Sequence, residues 1–122
     1  MKQLAFVLLL LASASAEAEW KFVDSNEGGN IYVDFATIRK QGNLAKVWVL
    51  VDWKAPRRLE NGKPFSSMKV QQEYDCGEKR YRTIFASFHS GSMGTGEVVD
   101  FDPGVGQWIP ASEGFLKVVC KR

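Results

Sequence analysis

Two stretches of alternating residues commit this chain to β structure more firmly than anything else in it. In residues 43–53, NLAKVWVLVDW, the side chains of Ala45, Val47, Val49, Val51 and Trp53 fall on one side of an extended backbone. Leu44, Lys46, Trp48, Leu50 and Asp52 fall on the other, because successive strand residues point to opposite faces. One wholly apolar face and one mixed face predict a central strand, partly covered on both sides. Residues 67–76, SMKVQQEYDC, alternate in the same way. Met68, Val70, Gln72, Tyr74 and Cys76 share one face, and Lys69, Gln71, Glu73 and Asp75 share another that is predicted to meet water.

Shorter β-prone runs flank these two. EWKFVD (19–24) and IYVDF (31–35) are separated by the glycine-rich turn SNEGGN, and ATIRKQGN (36–43) reads equally as one helical turn or as continued strand. KAPRRLENGKPFS (54–66), with two prolines, Asn61-Gly62 and four basic residues, predicts a long exposed loop. Gly77-Glu78 predicts a hairpin turn, and KRYRTIFASFHS (79–90) returns as a strand. There Arg82 falls in line with Ile84, Ala86 and Phe88, so its guanidinium needs a partner: Glu73 or Asp75 across the hairpin, or the last carbonyls of a terminal helix. GSMGTG (91–96) is a loop, EVVDF (97–101) a strand and DPGVG a turn; Ser112 is placed to cap a helix over 112–120. The expected fold is mainly β: a single antiparallel, twisted or partly curled sheet of about six strands with a short C-terminal helix and one disulfide. The edges of such a sheet need a curl or a partner, which makes a homodimer one expectation.

The first residues decide the compartment. Lys2, the apolar run Leu4–Ala12 and the small residues ASASA form a secretory leader, with Ala14-Ser15-Ala16 matching the cleavage pattern. Residues 1–16 are therefore expected to be removed after Ala16, leaving 17–122 as a single domain; a second matching site follows Ala18. The apolar run is too short to span a bilayer, and no cysteine stands at the cleavage site for lipidation. An exported chain is expected in the periplasm first, with the cell surface or secretion as alternatives. In an oxidising compartment the two cysteines, Cys76 and Cys120, favour a disulfide. A loop of that length is worth roughly 4 kcal/mol in the chain-entropy model. A zinc site would need carboxylates to complete its shell, and a cysteine nucleophile would need the single histidine, His89, as its base.

Chemistry is otherwise sparse. GSMGTG lacks the lysine and the following helix of a phosphate loop. A calcium loop starting at Asp100 would need glutamate where Ala111 stands. His89 has Ser87, Ser90 and Ser92 nearby, but no nucleophile elbow. With 16 basic and 14 acidic residues, charge offers no argument for nucleic acid. The reading is a non-enzymatic domain with no catalytic, cofactor-binding or metal-ligating residues. Its candidate partner-binding loop holds Trp53, Lys54, Arg57 and Arg58, an aromatic anchor beside positive charge suited to an acidic protein segment or a sulfated glycan.

The order and spacing of several segments resemble the surface-adhesin E family of small exported Gram-negative proteins. They are Trp20, IYVDFATIRKQGNLAKVWVLVDW, the hairpin SMKVQQEYDCGEKRYR, GSMGTG, the stretch WIPAS and the terminal VVC. The resemblance implies an antiparallel β domain, a Cys76–Cys120 bond, and display in the periplasm or at the cell surface. It also implies binding of host extracellular-matrix or other envelope proteins. The alternative is a soluble periplasmic accessory or envelope-stress protein without a host ligand.

Overall fold

The alternation at 43–53 builds the centre of the sheet. In the computed structural model, which describes residues 18–121, β3 (Leu44–Arg58) lies between β2 (Gly29–Gln41) and β4 (Pro64–Asp75). The leader and its expected cleavage point after Ala16 lie outside the described residues. β1 (Lys21–Ser25), β5 (Arg80–His89) and β6 (Val98–Asp102) extend the sheet, so that β1 to β6 follow one another in space as in sequence, each antiparallel to the next. A two-residue β7 (Ile109–Pro110) pairs with Arg80 and Tyr81 on the edge of β5 that β6 leaves free. The sheet has two edges and is not closed.

One face carries the core. Val33, Val49, Val70 and Ala86 stand opposite one another across four strands, and none is more than 5% exposed. Beside this row the terminal helix α1 (Glu113–Cys120) lays Leu116 and Val119 on Ala45, Val47 and Tyr74. Ser112 caps α1 as expected, its hydroxyl accepting from Phe115 N–H at 3.2 Å. Cys120, the last helical residue, is bonded to Cys76 in the β4–β5 turn, with a Cα–Cα distance of 5.9 Å. A Tyr81–Tyr74–Phe115 stack carries the contact from β5 through β4 to the helix.

The opposite face is less open than the alternation predicts. Glu73, expected to face water, is only 6% exposed. Arg82 stands directly across from it and reaches it at 2.7 Å, while Arg80 meets Asp75 at 3.2 Å. Trp108 lies over both guanidiniums, 4.4 Å from Arg82 and 4.7 Å from Arg80. A β-bulge explains why Arg82 does not share the face of Ala86 and Phe88. The register slips between Gln71 and Gln72, so Phe85 faces Gln71 and Thr83 faces Gln72, and the extra residue turns Arg82 to the far side. GSMGTG also belongs to this face, as a docked turn rather than a free loop. Met93 N–H donates to Asp52 Oδ1 and Gly94 N–H to Ser67 Oγ, both at 2.8 Å, which covers Leu50.

Two segments are more extended than expected. Residues 36–41 continue β2, with Thr37 Oγ1 accepting from Trp48 N–H at 3.0 Å where the register shifts. The predicted loop 54–66 shrinks to Leu59–Lys63, because β3 runs on to Arg58 and β4 starts at Pro64. Pro56 has no N–H to give a neighbour, and the pairing is interrupted from Asp52 to Arg57 before resuming at Arg57–Phe65. Gly62, at φ +86, then turns the chain tightly.

His89 ends β5, buried, with its Nε2 2.8 Å from Ser87 Oγ. Burial, with Lys69 nearby, pushes its pKa below the ordinary 6.5.

Cys76→Ser should lower unfolding free energy by up to about 4 kcal/mol; a urea midpoint equal to that of the oxidised parent would contradict the anchoring of α1. Arg82→Ala should cost about 2 kcal/mol, less than for a fully buried pair because Arg82 keeps 31% of its side chain exposed. The double change Glu73→Leu/Arg82→Leu should recover much of that loss. For His89 the unfolded chain binds a proton more readily than the folded one. Its contribution is therefore complete above pH 6.5 and lost as pH falls through the window beneath. His89→Gln should flatten the fall in melting temperature between about pH 7 and about pH 5; an unchanged slope would refute the assignment.

Candidate functional site

The four residues singled out for partner binding do not form a loop. They occupy the far end of β3, where the strand runs past the bulge at Pro56. Trp53 stands opposite Gly29, on the face that also carries Val49 and Val51. Arg57 folds back over its ring, with the guanidinium carbon 3.8 Å from the ring centroid. The close fit of the β1–β2 turn explains Gly28 and Gly29. A Cβ on Gly29 would lie 2.3 Å from Asp52 O, and one on Gly28 would press on Arg57 and Trp53. Lys54 N–H donates to Gly28 O at 2.9 Å and fastens that turn to β3.

Trp53 and Arg57 are thus brought together as one stacked unit. Arg58 is committed elsewhere, donating from Nη1 to Gly62 O at 2.8 Å and holding the 59–63 turn. Lys54, Arg57 and Arg58 are all exposed. Trp53 Nε1 is buried and is the one such side-chain polar atom without a hydrogen-bond partner among the described residues. The platform therefore combines an apolar ring, a delocalised cation flat upon it and two further cations, chemistry that suits carboxylate-rich partners.

Two other surfaces went unread in the sequence. Trp108, bracketing Arg80 and Arg82, lies in a stretch with no strand or helix period; its role depends on the chain returning to β5 after β6. Val98, Phe101, Val105 and Ile109 are each about half exposed or more, along the β6–β7 side of the sheet. Between α1 and the sheet lies a cleft of about 350 Å³ lined by Ile31, Val49, Val51, Tyr74, Tyr81 and Phe115. Tyr74 donates to Gln72 Oε1 at 2.8 Å, and burial drives its hydroxyl pKa well above the ordinary range.

Ser87 and His89 are the one serine–histidine contact among the described residues. No carboxylate holds the imidazole there, and Ser90 Oγ is occupied as acceptor for Glu97 N–H at 2.9 Å. No group of three or more histidine, cysteine, aspartate or glutamate side chains there is arranged to hold a metal. No helix among the described residues is long and apolar enough to cross a membrane.

The fold and the spacing of these elements have counterparts. A family model described as surface-adhesin protein E matches residues 20–121. Among solved structures, one of Haemophilus influenzae protein E is 10% identical, with 88% of this chain covering 90% of that one at a TM-score of 0.61. A second crystal form of that protein is 11% identical, at 87% and 97% coverage and a TM-score of 0.60. Protein E from non-typeable Haemophilus influenzae is 10% identical, at 81% and 71% coverage and a TM-score of 0.56. No curated protein matches the chain in sequence. The structural likeness is one of fold, whereas the family model follows the sequence itself from Trp20 to Lys121, and on that ground the chain belongs to the surface-adhesin protein E family.

Proposed function

We propose that this protein is an exported, non-enzymatic binding domain of the adhesin type, and that it engages a carboxylate-rich segment of a host matrix or envelope protein through the end of β3. The observation that carries the reading is the Trp53–Arg57 stack at 3.8 Å, with Lys54 and Arg58 beside it. A stacked guanidinium keeps its donor edge free for a carboxylate while the ring excludes water from one side. Membership of an adhesin family supports the same reading. The β6–β7 side, with Val98 and Phe101 exposed, is where a second copy would add to the sheet.

The test is retention on immobilised host matrix at two salt concentrations. Replacing Lys54, Arg57 and Arg58 together by glutamine should weaken binding about tenfold at low salt and less at high salt, as screening removes the parent's advantage. Arg57→Lys should lose part of the affinity, since an ammonium cannot stack as a plane. Equal affinity of parent and triple variant at both salt levels would sink the proposal. Protease shaving of whole cells separates surface display from the alternative, a periplasmic accessory protein with no host ligand.

A further inference from the structure

The leader offers two overlapping cleavage patterns, Ala14-Ser15-Ala16 and Ala16-Glu17-Ala18. The second would make Glu19 the first residue of the exported protein. The backbone nitrogen of Glu19 lies 3.3 Å from Asp34 Oδ2. Asp34 is only 6% exposed, and its other oxygen accepts from Ala36 N–H at 3.2 Å. Both donors are neutral amides. Among the described residues no lysine, arginine or histidine is ion-paired with Asp34. Buried carboxylates are as a rule paired with a cation or held by several donors.

We infer that the mature chain begins at Glu19 and that its α-ammonium group is the counter-ion of Asp34. The step is hydrolysis by the leader peptidase of the exporting membrane. Water adds to the Ala18 carbonyl carbon, and the Ala18–Glu19 C–N bond breaks. Ala18 leaves as a carboxylate, and the Glu19 nitrogen becomes an ammonium. A neutral amide contact thereby becomes a charge-assisted ion pair at the same place. Cleavage after Ala16 would instead set the ammonium two residues away, about 7 Å of extended chain, and leave Glu19 an amide.

The surroundings suit a chain end. A hollow of about 200 Å³ is lined by Trp20, Asp34, Thr37, Trp48 and Lys69 and closed on one side by Ala18, whose removal by this cleavage opens it at Glu19. The charged groups around the nitrogen are Asp34 of β2, 3.3 Å from it, Lys69 of β4, which lines the same hollow, and the Glu19 side chain, itself paired with Lys21 at 3.0 Å. Lys69 opposes the ammonium, while Asp34 is within hydrogen-bond distance of it and favours it.

The experiment has two parts. The full chain is exported under its own leader and its intact mass is measured. A mass corresponding to residues 19–122 is expected; one corresponding to 17–122, or retention of Met1, overturns the assignment. Chains beginning at Glu19 and at Glu17, released from a cleavable fusion, are then melted at about pH 6.5 and about pH 10. Pairing with Asp34 raises the folded pKa of the α-amino group. Its stabilisation is therefore present below the unfolded value of about 8 and lost as pH rises through the folded value. The Glu19 chain should melt a few degrees higher at the lower pH, with the difference gone at the higher one. Equal melting of the two chains at both pH values overturns the ion pair. Asp34→Asn should abolish the difference where it folds, and the comparison of the two chain starts stands without that variant.

Discussion

A helix of eight residues is too short to persist by itself in water, and the core depends on its staying in place. The Cys76–Cys120 bond makes that possible. It joins the last residue of α1 to the β4–β5 turn, and Lys40 Nζ donates to the carbonyl of the same Cys120. The helix is thus capped at its start by Ser112 and tethered at its end through both side chain and backbone. Between these ties Leu116 and Val119 press on Ala45, Val47 and Tyr74. Without the tether, the apolar face of the two central strands would lose the only helix that covers it among the described residues.

The second face is covered by different means. No α-helix among the described residues lies over Leu50, yet it is fully buried. Its cover is a single 3-10 turn, Ser92–Gly94, whose backbone N–H groups are held by Asp52 and Ser67. Gly94 adopts φ +74, a left-handed conformation that favours glycine, while the Lys69 side chain that a Cβ there would meet is flexible enough to move aside. Further along, charge takes the place of hydrocarbon. Glu73 is sealed by Arg82, and Arg82 by Trp108. The sheet is therefore insulated on one side by a stapled helix and on the other by a docked 3-10 turn, the Trp48–Phe85–Phe101 rings and paired charges under Trp108.

Much of this was legible in the sequence where the rule is local. Period two placed Ala45, Val47 and Val49 on one face, and the N-cap rule placed Ser112 at the head of α1. Redox compartment and an even cysteine count paired Cys76 with Cys120. What escaped depends on register. A single bulged residue, Ile84, set against the Gln71–Gln72 step of β4, reverses the side on which Arg82 emerges, and nothing at Arg82 announces it. Likewise Pro56 reads as a loop residue, but a strand absorbs it because the pairing is already broken between Asp52 and Arg57. Trp53, Lys54, Arg57 and Arg58 were read as a partner-binding loop, but they end a strand, and the stacking of Arg57 on Trp53 escaped, since four-residue spacing across a bulge has no signature in a period of two.

Identity of 10% across 88% of the chain, with a TM-score of 0.61, means that this chain and Haemophilus influenzae protein E share a fold pattern and few of the side chains that realise it. Such a pattern constrains buried positions, where apolar residues substitute for one another at small cost when volume is kept. It constrains exposed positions hardly at all. The surface at the end of β3 is thus free of the demands that hold the scaffold. Gly28 and Gly29 tie its underside to the β1–β2 turn, but the outward edges of Trp53, Arg57 and Lys54 have no task in the core. Substitutions at the end of β3 therefore leave the stapled helix and the central row of valines untouched, so this surface can change without cost to the fold.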